Sequence, residues 1–326
     1  MGIKNLLKFL NSYDNIVNEI NYDDFKGEKV AIDISIILYQ VIIAIRNSGA
    51  DLMNQKGEIT SHILGLFNKT INLLRKNIIP IYVFDGKPPA FKQKILDARR
   101  DVKKRAYMKL FDITDEKEKI KYFKRTVRIT KKQIDECKEL LNLMGIPYIE
   151  APEEADSQCA YLVKAGIAQG VITEDMDILT FGANKIYRNL TSYKKTTLEI
   201  KLDNILEKVD LTYDQFIEFC ILLGCDYCDR VKDIKQDVIY EYYYKYKNIP
   251  ETLNAIEADN IRVPNLDDYE KYKDYFKNAP VIEIDTQLER TKPDITKLTN
   301  ILVNEYGLIK AKLLPKLKFL ELNKIN

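Results

Sequence analysis

Apolar and polar positions alternate between two periods along this chain. Three short runs are continuously apolar and rich in β-branched and aromatic residues: "KVAID" (29–33), "IPIYVFD" (79–85) and "GVITED" (170–175). Such runs predict strands buried on both faces, as in a parallel sheet. "SHILGLFNKTINLLRKN" (61–77) and "DECKELLNLMG" (135–145) instead repeat apolar residues at helical spacing, and the second closes on a glycine suited to a helix cap. "IPYIEAP" offers one more short strand, and "FIEFCILLG" one more apolar helix. Strand and helix alternate, so the expected fold is α/β, with a mainly parallel central sheet flanked by helices.

The run "VAIDISIILYQVIIAI" (30–45) is apolar enough to suggest a membrane span, but Asp33 and Gln40 lie inside it. A central Asp costs roughly 3 kcal/mol on insertion scales, so a strand leading into a helix is the better reading. The start "MGIKNLLKFLNSYDN" has too short an apolar run for a signal peptide. It matches a myristoylation signal only at Gly2, because Leu6 stands where Ser or Thr is wanted. No membrane association is expected.

Acidic residues gather where these elements meet. Asp33, Asp85 and Asp175 sit at the C-terminal ends of the three predicted strands, the edge at which open α/β sheets build their sites. "APEEADSQCA" adds Glu154 and Asp156 at a predicted helix start, "TEDMDILT" adds Asp177, and "LLGCDYC" adds Asp226. Any one Asp at a strand end is more often a cap or turn former. Seven ionised carboxylates on one edge require a counter-charge or large upward pKa shifts. Divalent cations supply such a charge, and an all-oxygen ligand set suits Mg²⁺ or Mn²⁺ rather than zinc or copper. Two such ions about 4 Å apart serve phosphodiester cleavage.

Charge points to the substrate class. Between Lys87 and Lys132 there are 17 Lys or Arg against 6 Asp or Glu, a local net of +11 in a chain whose total is +2. A basic segment beside an acidic metal site fits a bound polyanion. The five cysteines (Cys137, Cys159, Cys220, Cys225 and Cys228) are odd in number, which argues against a disulfide framework and for a reducing compartment. Cys225 and Cys228 form a CxxC, but with no second pair and one histidine, His62, a zinc site lacks ligands and the pair reads as structural.

In their order and spacing, "MGIKNL", "KVAIDISIILYQ", "GEITSHILG", "VFDGKPPAFK", "LLNLMGIPYIEAPEEADSQCAYLVKAG", "TEDMDILTFG" and "ILLGCDYCD" make the chain resemble the flap endonucleases, the structure-specific 5′-nucleases of DNA replication and repair. The resemblance runs from residue 1 to about residue 230 and is specific as a set. It implies a 5′-nuclease fold of the PIN type with a helical arch and a helix–two-turn–helix-like element. The corresponding division is a nuclease region at 1–105, a basic arch at 87–132, a second nuclease region at 133–230, a degenerate helix–two-turn–helix region at 231–290 and a C-terminal helical segment at 291–326.

It further implies a metal site of Asp33, Asp85, Glu154, Asp156, Asp175, Asp177 and Asp226 holding two Mg²⁺, with Mn²⁺ able to substitute. Asp156 stands where eukaryotic members usually have Glu. Lys92 and Arg99 match the basic pair at the base of the arch that steers the scissile phosphate, and Asp175 is placed with them in catalysis. Tyr39 matches an aromatic on which a terminal base stacks, and Gly2 the N-terminal residue near the active site. Arg46, Arg100, Lys103, Lys104, Lys232 and Lys235 complete the expected DNA contacts.

The implied activity is cleavage near the base of 5′ flaps by two-metal-ion hydrolysis, leaving 5′-phosphates, in a monomer working inside the cell where DNA is replicated. A 5′→3′ exonuclease on the same scaffold and an inactive DNA-binding scaffold are the alternatives. Intact acids weigh against the second. Nucleus and cytoplasm are not distinguished.

Two departures stand out. Where the family has Gly-Ile-Gly-Pro, this chain has Asp233, Ile234, Lys235 and Gln236. A Lys forced into glycine's left-handed conformation pays for it, so the hairpin is expected to change shape or grip duplex DNA differently, with weaker or no potassium dependence. The tyrosines after it, Tyr240, Tyr242, Tyr243, Tyr244 and Tyr246, are expected mostly to pack against the body. The C-terminal "LLPKLKFLELNKIN" shows no motif of the sliding-clamp-binding kind, leaving a clamp partner open.

Overall fold

The apolar runs form the expected strands. In a computed structural model, which describes residues 2–21, 24–25, 27–190, 195–285 and 288–322, seven strands occur among the described residues. They are β1 (Val17–Ile20), β2 (Lys29–Asp33), β3 (Ile79–Phe84), β4 (Tyr148–Glu150), β5 (Gly170–Ile172), β6 (Lys185–Arg188) and β7 (Thr197–Lys201). The chain divides into two compact units: residues 1–24, 85–95 and 151–283, and residues 25–84, 96–150 and 284–326.

In the second unit β3 lies between β2 and β4 and is parallel to both, with Asp33 opposite Val83 and Phe84 opposite Glu150. Ile81, Tyr82, Val83 and Phe84 are all buried, so both faces of β3 are covered, as its unbroken apolar run requires. Helix Ile34–Ile45 starts directly from β2, with the Asp33 carboxylate accepting from Ser35 N at 2.7 Å. Helix Ser61–Arg75 meets the sheet through Thr70, whose hydroxyl lies 2.9 Å from the buried Tyr82 hydroxyl. Helix Lys131–Met144 is opened by a Thr130–Gln133 capping box and closed by Gly145 at φ 67°. A Cβ at Gly145 would fall 2.0 Å from the Thr291 carbonyl oxygen, so only glycine fits this close approach.

In the first unit β5 and β6 are parallel, while β7 is antiparallel to both β6 and β1. The antiparallel ladders join short segments whose mixed charged and apolar sequences predict no strand. Helix Ala155–Lys164 begins at Glu154, its N-cap, and helix Tyr213–Leu223 is opened by a Thr212–Gln215 capping box and buries every residue from Phe216 to Leu223.

The basic segment contains two helices, Gln93–Lys109 and Glu116–Arg125, the second capped by the Asp115 carboxylate. Helices Tyr213–Leu223 and Gln236–Tyr246 flank the altered hairpin. There Asp233 takes the left-handed conformation, at φ 65°, whereas Lys235 is extended at φ −79° and ψ 154°. The expected strain on Lys235 is therefore absent. The left-handed position falls on Asp, which tolerates it far better than a long or branched side chain. Tyr243 is buried and donates to Glu218 at 3.0 Å, and the Tyr240 hydroxyl donates to Val209 O at 2.6 Å, so these two rings pack against the body as expected.

The C-terminal sequence forms helix Lys310–Leu322, docked in the second unit through Leu313, Leu317 and Leu320. Among the described residues no helix is long and apolar enough to cross a membrane.

Candidate active site

Six of the seven acids belong to the first unit. Asp175 follows β5 and is held by its own turn, its backbone N–H donating to Thr173 Oγ1 at 2.9 Å. Asp177 N then donates to Asp175 Oδ1 at 3.2 Å, which turns two carboxylates spaced two apart towards one place. Asp85, just past β3, accepts from Ala155 N at 3.0 Å and so occupies the positive end of helix Ala155–Lys164. Glu154, the N-cap of that helix, and Asp226, in the turn after helix Tyr213–Leu223, are both buried. Asp33 is carried by the second unit, at the end of β2.

Lys92 organises the cluster. Its ammonium pairs with Glu154 Oε1 and lies 3.7 Å from Asp226 Oδ2. Burial alone would lower this amine, yet the charges of Glu154, Asp156 and Asp226 hold it above its ordinary value. The acids feel the reverse. Burial raises the Asp177 carboxyl well above its usual range, and Asp175, Asp226 and Glu154 push it the same way. Asp175 is raised by burial and by Asp226, against the Asp177 N–H and Lys92. Asp177 Oδ1 is buried without a hydrogen-bond partner.

Buried, mutually repelling carboxylates with an orphaned oxygen make a hard anionic site, and that donor set fits Mg²⁺ or Mn²⁺. Among the described residues no three acidic, histidine or cysteine side chains close on one point as a finished cage. A lysine ammonium stands between Glu154 and Asp226 instead.

Gly2 touches this cluster. A Cβ placed there would lie 1.8 Å from Asp175 Oδ1 and 2.6 Å from Asp177 Oδ1. The Gly2 backbone therefore lies against the acids. Two site residues are absent from the sequence reading. The Tyr227 hydroxyl donates to Glu154 Oε2, and Phe91 packs edge-on against Tyr227 and Tyr275 with centroids 4.9 Å away in each case. These rings wall the acid cluster with low-dielectric surface. Their only sequence signal was adjacency: Tyr227 follows Asp226, and Phe91 precedes Lys92.

The second unit carries most of the expected DNA contacts. Arg99, Arg100 and Lys104 are exposed along helix Gln93–Lys109, and Arg100 pairs with Asp97 at 2.7 Å. Lys103 donates to the Tyr39 hydroxyl at 2.8 Å, so two expected DNA-contacting residues here hold each other. Lys232 and Lys235, in the first unit, are exposed at the hairpin.

Arg46 is a correction. It is buried, its guanidinium forked onto Asp51 with both bonds at 2.9 Å, and it donates to Phe123 O at 2.9 Å and Thr126 Oγ1 at 3.2 Å. It also lies over the Phe123 ring at 4.1 Å. Its donors are spent inside the protein, fastening helix Glu116–Arg125 to the end of helix Ile34–Ile45, and it presents no charge to DNA.

Residues 1–106 match the XPG N-terminal domain and residues 145–226 the XPG I-region. The chain is 42% identical over 320 residues to flap endonuclease 1 of Glycine max, covering 94% of this chain and 83% of that protein. The chain belongs to the flap endonuclease 1 family. The solved flap endonuclease-1 from Methanococcus jannaschii superposes with a TM-score of 0.74 at 35% identity, covering 97% of this chain and all of the other. The catalytic core of Rad2 in complex with DNA substrate superposes with a TM-score of 0.73 at 26% identity, over 98% and 100% of the two chains. Membership makes the chain a hydrolase acting on DNA in a family of metal-dependent nucleases. The α/β fold with its mainly parallel strands is the family's nuclease core.

Proposed function

We propose that this chain cleaves DNA near the base of 5′ flaps by hydrolysis, using two Mg²⁺ ions held by the acid cluster, with Mn²⁺ able to replace them. The observation that carries the reading is the Lys92 ammonium set against Glu154 and Asp226 within a group of buried acids. Asp85, Glu154, Asp156, Asp175, Asp177 and Asp226, all of the first unit, are the residues that would hold the ions. When bound, such ions polarise the phosphodiester and lower the pKa of a water molecule.

The chain's own residues then have separate tasks. Lys92 faces the scissile phosphate and offsets charge as it develops there, a contribution that is usually among the largest in such sites. Tyr227 fixes the rotamer of Glu154 through its hydroxyl. Phe91 and its tyrosine neighbours exclude water behind the acids, which strengthens every charge interaction in front of them. Arg99, Arg100, Lys103 and Lys104 supply sequence-independent contacts to the flap or duplex backbone, and Tyr39 a stacking surface for a base, worth roughly 1–3 kcal/mol. Lys232 and Lys235 face duplex phosphates at the hairpin. The enzyme acts inside the cell where DNA is copied and repaired.

Labelled 5′-flap DNA, incubated with and without Mg²⁺, tests the reading when the cut position is mapped and compared with a recessed blunt 5′ end. Metal-dependent cutting at the flap base is expected. Preferential shortening from the blunt end would instead make the enzyme an exonuclease. Asp175→Ala is expected to lose most cleavage while still binding the flap. Equal loss of both would make Asp175 a structural residue.

A further inference from the structure

Cys225 and Cys228 remain unused by the reaction, yet their sulfur atoms lie 3.5 Å apart. They sit in the turn that follows helix Tyr213–Leu223, and the two residues between them are Asp226 and Tyr227. Asp226 is one of the acids around Lys92, and Tyr227 is the residue whose hydroxyl holds Glu154. The turn is closed at its base on both sides. Lys4 N donates to Gly224 O at 3.0 Å, and Val231 N donates to Leu222 O at 3.2 Å. Gly224 has no spare room, since a Cβ there would fall 2.6 Å from Arg230 Cβ. A contraction inside such a turn is passed to Asp226 and Tyr227 rather than absorbed at its ends.

We propose that Cys225 and Cys228 are a peroxide-sensitive thiol pair whose oxidation to a disulfide switches the acid site off. The inference rests on the reading of Asp226 and Glu154 as metal ligands. Cys228 is half-buried and is the accessible partner, while Cys225 is 5% exposed and is held by Tyr227 N at 3.4 Å from its sulfur.

The chemistry balances with hydrogen peroxide as oxidant. The Cys228 sulfur attacks one peroxide oxygen, an S–O bond forms, the O–O bond breaks and one water leaves. The Cys225 sulfur then attacks the sulfenic sulfur, the S–S bond forms, the S–O bond breaks and a second water leaves. Two thiols lose two electrons in total and peroxide gains them.

Bond formation draws the sulfurs in to about 2.05 Å. Asp226 and Tyr227 must reorient as the turn tightens, so the Lys92 and Glu154 contacts loosen together. Disulfides inside reducing compartments are typically transient and regulatory, which suits a reversible device. The remaining cysteines, Cys137, Cys159 and Cys220, are all buried, so the pair is the preferred target.

The test uses the full chain, with and without hydrogen peroxide, followed by dithiothreitol. Mass spectrometry of the peptide spanning both cysteines is expected to show the loss of two hydrogens after peroxide. Calorimetry with Mn²⁺ is expected to show affinity weakened about tenfold or more, the scale on which residues supporting metal ligands act, and restored by dithiothreitol. Cys225→Ser and Cys228→Ser should each keep Mn²⁺ affinity through peroxide treatment. A sulfenic-acid probe should label Cys228 in Cys225→Ser. A disulfide that fails to form, that leaves Mn²⁺ affinity unchanged, or whose effect persists in both serine variants overturns the switch. Reduced protein that takes up no Mn²⁺ overturns the ligand assignment and the switch with it.

Discussion

The Gly2 backbone lies directly against the Asp175 carboxylate, with φ at 73° and space for no side chain beyond hydrogen. Both facts demand glycine, the first by sterics and the second by chirality. Gly2→Ala is therefore expected to push Asp175 and Asp177 out of place. Misplacement of a reacting constellation by about 1 Å can cost roughly 100-fold, so flap cleavage should fall by about that factor. Thermal stability should fall as well, by the roughly 1 kcal/mol or more that a non-glycine residue costs at positive φ. Steady-state cleavage beside a circular-dichroism melt separates the two effects.

Asp177 is expected to trade stability for activity. Its carboxyl is raised by burial and by its acidic neighbours. A group whose folded pKa exceeds its unfolded value supports the fold while protonated and withdraws that support as pH climbs through the folded pKa. Metal-free protein should thus lose stability as pH rises from the ordinary carboxylate range through the raised Asp177 value. Asp177→Asn should melt a few degrees higher at the alkaline end, flatten that slope and abolish cleavage. Melting curves across pH in the presence of a chelator provide the check.

His62 works in the opposite sense. Its ring is buried and contacts Glu136 at 2.6 Å, and burial holds its pKa below the ordinary 6.5 despite that carboxylate. A neutral buried histidine gives full stability above the unfolded pKa and loses it as pH falls from there through the folded one. His62→Gln should reduce stability at neutral pH and blunt the loss on acidification. Because the chain has one histidine, the difference between the two acid limbs reports this residue alone.

Arg46→Ala should leave Asp51 buried and uncompensated. Breaking a buried ion pair from one side typically costs about 3–5 kcal/mol, and a loss of that size is expected in denaturant unfolding. The salt dependence of flap binding, measured well below the melting temperature, should stay unchanged. Removal of an exposed phosphate-facing cation such as Lys104 should instead lower that slope by about one while sparing stability. A reduced slope for Arg46→Ala would return it to the DNA surface.

The acids were legible in the sequence because local rules place them. Strand ends, a helix N-cap and a tight turn each follow from residues within a few positions, and Asp85, Glu154, Asp175 and Asp177 all lie there. Arg46 was not legible, since its orientation depends on Phe123 and Thr126, far along the chain. The same holds for Tyr227, whose partner Glu154 is 73 positions away. The strands β1, β6 and β7 escaped detection for another reason. "VNEI", "KIYR" and "TLEIK" are four or five residues long and mix charged with apolar residues, so neither an apolar run nor an alternation is long enough to read.

Asp233 puts a left-handed residue at a position where the family's signature has a glycine. A search that identifies this hairpin by its glycines would pass over the present chain, although one left-handed residue still turns the backbone there. Backbone dihedrals are thus the safer yardstick for tracing such hairpins among distant nucleases. An exposed aspartate there also adds one negative charge between Lys232 and Lys235, so relatives sharing the substitution form a natural set in which to ask how a duplex tolerates it.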